Sequence, residues 1–173
     1  MFARSSRPKT ERPPLTDAQL FEAAVAALAS RSRSEVELRR LLARKLTEPS
    51  RTRIDQVIAR LHELGYLSDA RLAESFVEHR QKQAHLGRRR VTQELRRRGV
   101  KADLVEQTVE RAYSEVDELE LALAFAAKKR LRRTTPAASR PGPKDPKNPK
   151  DPKEAKETAR ILRALQRAGF SMA

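Results

Sequence analysis

An all-α fold made of tandem three-helix repeats is what this 173-residue sequence predicts, on three observations. Apolar anchors recur about every fifty residues. Leu20-Phe21-Ala24-Val25-Leu28 leads to Leu38-Leu42, Leu72-Ala73-Phe76-Val77 to Val91-Leu95, and Leu121-Ala122-Phe125-Ala126 to Ile161-Leu165. Helix start and stop residues bracket these stripes, and alternating β-branched stretches bounded by turns are missing. A period in this range marks stacked supersecondary units that bind along extended partners, rather than one enzyme core.

The first anchors, Leu20, Leu72 and Leu121, stand 52 and 49 residues apart; the second, Leu38, Val91 and Ile161, stand 53 and 70 apart. The third copy therefore carries an insertion of 21 residues. The expected architecture is an elongated array whose third repeat is truncated and interrupted by a Pro-rich linker. Its parts are a disordered basic N-terminus (1–15), a first repeat (16–66), a second repeat (67–115), an incomplete third repeat (116–133 and 154–173) and the linker (134–153).

Taken in order, Thr16 or Asp17 N-caps a helix with residues 20, 21, 24, 25 and 28 on one face. Ser34 and Glu37 have capping-box spacing and start a helix running through Leu46, stopped by Glu48-Pro49. Thr52 to Leu64 follows, with Ile54, Val57, Ile58, Leu61 and Leu64 as its buried stripe and Gly65 as a left-handed C-terminal cap. Ser68 or Asp69 caps the next helix, which reaches about Lys82. Gly87 separates it from a basic helix over 88–98, which Gly99 ends. A helix over 102–114 buries Leu104, Val105, Val109 and Ala112. Eight helices are expected, three in each of the first two repeats and two in the third.

Between residues 134 and 153 lie six of the ten prolines, with the repeat Lys144-Asp145-Pro146, Lys147-Asn148-Pro149, Lys150-Asp151-Pro152. Each proline removes a donor and restrains its predecessor, so this tract has polyproline character. Residues 128–153 hold ten Lys or Arg against two Asp. The tract reads either as a spacer or as an electrostatic arm, and the salt dependence of binding after Lys-to-Ser replacement separates the two.

Charge points to the partner. Lys and Arg total 38 against 23 Asp and Glu, a net +15, while aromatics make up only 4% and Trp is absent. Such a balance suits a polyanion, or a partner that already holds one. Cysteine is absent, which excludes disulfides and thiolate metal sites and fits the cytoplasm. Residues 1–14 are basic without the apolar core of a signal peptide, and no run approaches a membrane span of about 18 apolar residues.

Enzyme constellations are not seen. The five glycines, at 65, 87, 99, 142 and 169, form no phosphate loop, and His62, His79 and His85 lack ligand spacing. The acidic pairs Glu35 with Glu37 and Glu118 with Glu120 read as solvated faces. No catalytic residue, metal, cofactor, small-molecule substrate or membrane is expected, and the chain is expected to be a monomer.

What remains is a set of cationic ridges. Arg39, Arg40, Arg44 and Lys45 on the first basic helix correspond in repeat position to Arg88, Arg89, Arg90, Arg96, Arg97 and Arg98 on the second; Lys128, Lys129, Arg130, Arg132 and Arg133 crowd the end of a helix in the third. Residues 89, 93, 96 and 97 fall on a different helix face from Val91 and Leu95, so several guanidinium groups must point outward. Arginine forks suit both phosphates and carboxylates.

The stretch Gly65-Tyr66-Leu67-Ser68-Asp69-Ala70-Arg71-Leu72-Ala73-Glu74-Ser75-Phe76-Val77-Glu78-His79-Arg80 resembles the RecX family of bacterial RecA regulators. The resemblance continues through Gly87-Arg88-Arg89-Arg90-Val91-Thr92-Gln93-Glu94-Leu95-Arg96-Arg97-Arg98-Gly99-Val100, and upstream in Arg33 to Lys45. It covers about residues 18–133 and, weakly, 154–170. Leu46 stands where the family tends to have Gly, Leu72 where it often has Phe, and little sequence follows Gly169-Phe170 to supply a last helix. The resemblance implies a curved array that lies along RecA filaments on single-stranded DNA and modulates recombinase and ATPase activity, most often by inhibition, with direct DNA contact alongside. It thus implies a non-enzymatic regulator of DNA repair, recombination and the SOS response. A basic helical protein acting on nucleic acid without RecA is the alternative; the shortage of aromatics for base stacking, Tyr66 and Tyr113 being the candidates, weighs against it.

Overall fold

The structure, a computed structural model, describes residues 15–46, 50–131 and 152–171. Among these residues the chain is all-helical, with α1 (Asp17–Ser30), α2 (Glu35–Lys45), α3 (Arg51–Glu63), α4 (Asp69–Lys82), α5 (Arg88–Arg97), α6 (Ala102–Tyr113), α7 (Glu118–Lys128) and α8 (Pro152–Ala168), and no strand. Residues 1–14 and most of the Pro-rich tract lie outside the described residues. The fold divides between Asp69 and Ala70 into two compact units.

In the first unit α1, α2 and α3 pack against one another. Two reciprocal capping boxes start α1 and α2. The Gln19 N–H donates to Thr16 Oγ1 at 3.2 Å and the Thr16 N–H to Gln19 Oε1 at 3.0 Å; Ser34 and Glu37 exchange the same pair of bonds at 3.1 Å. These bonds satisfy donors that a helix start otherwise leaves open. The helices bury Ala24 and the large aliphatic side chains Leu20, Leu38, Leu42, Ile54 and Leu61, each of the latter worth about 1.5–3 kcal/mol.

One expected core residue is not in the core. Leu64 is 52% exposed, because it sits at the C-cap of α3, just past the last residue of the buried stripe. The chain instead turns back at Gly65, whose φ of +69° favours glycine, and the Tyr66 and Leu67 amides donate to the Leu61 carbonyl at 2.9 and 3.2 Å. Leu67, 2% exposed, joins the first unit's core in its stead.

In the second unit one continuous core joins α4 through α8, with Val77, Val91, Leu95, Val109, Phe125 and Phe170 among its members. Helix α8 packs on both α5 and α7. The Phe125 and Phe170 rings meet at 5.9 Å and 59°, in the tilted arrangement that aromatic quadrupoles favour. Tyr113 donates its hydroxyl to the Leu86 carbonyl at 2.7 Å; burial, helped by the nearby Glu118 charge, pushes that phenol above its ordinary range.

The join between α5 and α8 is made by backbone. The Gly87 N–H donates to the Ala168 carbonyl at 2.8 Å and the Arg89 N–H to the Gly169 carbonyl at 3.3 Å, so the end of α8 satisfies donors at the start of α5. The approach leaves no room for side chains. A Cβ on Gly87 would lie 2.5 Å from the Gly169 carbonyl carbon, and one on Gly169, at φ +92°, would lie 2.3 Å from the Arg90 nitrogen.

Candidate partner and nucleic-acid interface

On α2, the buried positions Leu38 and Leu42 turn Arg40, Arg44 and Lys45 outward. Arg39 is held differently. It bonds Glu35 at 2.7 Å, one turn back, and reaches across to Asp55 on α3. Glu35 also meets His62 Nε2 at 3.0 Å. Burial works to raise the Glu35 carboxyl, but the bonds from Arg39 and His62 outweigh it and hold the group below its ordinary value. Bonds to Asp55 and then to Glu35 hold the Arg39 guanidinium above its own. Arg39 therefore serves the fold of its unit, while its three basic neighbours face solvent.

On α5 the same sorting occurs, with more charge. Val91 and Leu95 are fully buried, which leaves Arg89, Gln93, Arg96 and Arg97 exposed on the opposite side. Arg88 is paired with Glu110 of α6. Arg90 bonds Glu94 at 2.8 Å, and Arg80 Nε of α4 lies 2.9 Å from the other oxygen of Glu94, an ion pair misaligned for a hydrogen bond. Arg80 and Arg98 stand over the Phe76 ring, at 4.8 and 5.5 Å from its centroid. Of the six arginines on this segment, Arg88, Arg90 and Arg98 thus lean on the protein, whereas Arg89, Arg96 and Arg97 are presented to a partner.

At the end of α7, Lys128, Lys129 and Arg130 are exposed, and the Lys128 ammonium donates to the Gln83 carbonyl. Arg132 and Arg133 lie outside the described residues. Sequence reasoning missed a further basic row: Arg160, Arg163 and Arg167 are exposed on α8, beside Gln166. Their spacing of three and four residues, out of phase with Ile161 and Leu165, was the available signal.

Among the described residues no group of three or more His, Cys, Asp or Glu could hold a metal, and no helix is long and apolar enough to cross a membrane. Fold and surface together define a class: an all-helical repeat protein with arginine-rich exposed helix faces. Residues 68–109 match the family profile described as RecX, second three-helix domain. The regulatory protein RecX of Salmonella newport is 33% identical over 132 residues, which cover 72% of this chain and 76% of that protein. The regulatory protein RecX of Deinococcus radiodurans is 37% identical over 108 residues, covering 61% of this chain; the match spans about half, 50%, of that relative's length. The crystal structure of RecX from Lactobacillus salivarius superposes with a TM-score of 0.63 at 18% identity, covering 90% of this chain and 88% of the other. The chain belongs to the RecX family.

Proposed function

We propose that this protein binds RecA filaments on single-stranded DNA and inhibits their recombinase and ATPase activity, and so regulates recombination, repair and the SOS response. It acts in the cytoplasm as a monomer, by binding alone. The observation that carries this reading is the outward face of α5, Arg89, Gln93, Arg96 and Arg97, inside the segment that matches the RecX profile. Arg40, Arg44 and Lys45 on α2, and Lys129 and Arg130 after α7, offer similar charge from the other repeats. With repeats at residues 16–66, 67–115 and 116–133 with 154–173, the contacts of each repeat add to those of the others as avidity. Because filament protomers rearrange as nucleotide turns over, a protein clamped across several of them slows that rearrangement. DNA phosphates, met beside the protomers, add a salt-sensitive attraction without sequence readout.

The test is the ATPase of RecA on single-stranded DNA with substoichiometric protein. The wild type should lower the rate, and the Arg89→Glu, Arg96→Glu, Arg97→Glu variant should restore most of it with helicity and melting unchanged, since exposed charge changes cost at most about 0.5 kcal/mol each. Inhibition by that variant equal to the wild type would remove the α5 face from the mechanism. Pull-down with RecA filaments against bare DNA at matched salt separates filament binding from DNA binding alone.

A further inference from the structure

The α5 and α8 rows meet in a groove. A cavity of about 410 Å³, open to solvent, is lined by Arg89, Arg90 and Gln93 of α5 and by Gln166, Arg167, Gly169 and Phe170 at and just past the end of α8. A second depression of about 540 Å³ shares Gln166 and Arg167 with it and is lined also by Arg160 and Arg163. We infer that this composite groove binds the phosphodiester backbone of a single strand of nucleic acid, a site that rests on the DNA-contacting part of the function proposed above and locates it.

Four observations support that occupant. The lining charge is all of one sign: Arg89, Arg90, Arg160, Arg163 and Arg167 line the two depressions and no described acid does, and Arg163 and Arg167 give their Nε donors to their own helix, to the Ala159 and Arg163 carbonyls at 3.0 and 3.3 Å. The carboxylate nearest in sequence on the α5 wall, Glu94, is already engaged by Arg80 and Arg90. The chemistry is that of oxygen acceptors: arginine forks bind phosphate bidentately, and the amides of Gln93 and Gln166 add neutral donors. The spacing suits a repeating anion, because Arg160, Arg163 and Arg167 recur at three and four residues, about 4.5 and 6 Å apart along the helix at roughly 1.5 Å per residue. A regular polyanion engages such a row in any register, whereas an acidic peptide must match it residue by residue.

The walls are also fixed before binding. The Gly87 to Ala168 and Arg89 to Gly169 backbone bonds lock the two helix ends together, so little ordering accompanies ligand entry. Phe170 also lines the cavity, but it is only 4% exposed, with its ring packed against Phe125, and offers no open face for stacking, which makes the groove a reader of backbone and not of bases.

The experiment measures binding of the full chain to a fluorescent oligothymidylate across a salt series, with no RecA present. The Arg89→Gln, Arg163→Gln, Arg167→Gln variant should bind at least tenfold more weakly at low salt, and its log-log salt slope should fall by about two, roughly 0.7 for each lost contact. A control, Arg31→Gln, Lys101→Gln, Arg111→Gln, removes equal charge from exposed positions outside the groove and should keep its slope. A second variant, Arg160→Gln with Arg163→Gln, changes only exposed α8 residues and should lose about 1.4 from the slope. Circular dichroism verifies folding of each. Slopes that fall no further than in the control overturn the site. A fluorescent polyglutamate peptide covers the other occupant: loss of peptide binding with the DNA slope intact makes the groove a carboxylate reader and also overturns it. Because RecA is absent, either failure leaves the ATPase test of filament regulation standing.

Discussion

Helices α2 and α5 occupy equivalent repeat positions and solve the same problem in opposite ways. Helix α2 is started mainly by its own residues: Ser34 and Glu37 close its capping box, and Glu35 and Glu37 place negative charge in its first turn, where the helix dipole favours it. One first-turn donor, the Glu35 N–H, goes to a side chain outside the helix, Asp69 Oδ1, at 2.9 Å. Helix α5 has Gly87 at its N-cap with no side-chain bond, no acid in its first turn and three arginines there instead. Charge of that sign opposes the dipole. Two donors at its start, the Gly87 and Arg89 N–H groups, are met by the Ala168 and Gly169 carbonyls, 81 and 80 residues further along the chain respectively. A helix capped by distant backbone needs no acidic or hydroxyl residues of its own, which leaves its side chains free to be arginine. The more cationic surface is thus the one whose start depends on another segment.

The strongest way to break this comparison is Gly169→Val. The added side chain collides with Arg90 and strains a φ of +92°, so the second unit should lose more than about 2 kcal/mol while α1 to α3 keep their protection in hydrogen exchange. Equal loss of protection in both units, or in neither, would refute the dependence of α5 on α8. Next comes Ser34→Ala, which removes the local cap of α2 and should cost the first unit about 1 kcal/mol in urea unfolding, with α5 unaffected.

The smallest effect sharpens the electrostatic side. Because the folded Glu35 carboxyl lies below its ordinary value of 4.5, it contributes stability that is present above that pH and is lost as pH falls through the folded value. Glu35→Gln should therefore flatten the acid limb of first-unit stability by less than about 1 kcal/mol, since the pair with Arg39 is partly exposed. An acid limb unchanged by the substitution would mean that Arg39 and His62 contribute nothing through Glu35.

Much of this was legible from local sequence. Thr16, Ser34 and Gly65 signalled their caps because the partners of each lie within a few residues, and the Val91 and Leu95 stripe alone assigned Arg89, Arg96 and Arg97 to the outer face. What escaped was carried by long-range partners. Arg88 reads like Arg89 until Glu110 of another helix is placed beside it, and Arg39 reads like Arg40 until Asp55 is. Gly87 was legible as a helix separator, but its close contact with Gly169 was not. Leu64 was misassigned because periodicity ran one residue beyond the turn at which the helix stops.

The bond between Gly87 and Ala168 also sets a timetable for synthesis. The first unit draws its core from Leu20 through Leu67 and holds all it needs soon after residue 69 is made. Helix α5 must wait, translated but incomplete at its start, until residues 168 and 169 have left the ribosome. At about 5–20 residues per second that interval lasts on the order of 4–16 s, long compared with the microseconds in which a helix forms. During it the start of the most arginine-rich helix keeps two backbone donors open, close to the anionic RNA of the ribosome that is making it.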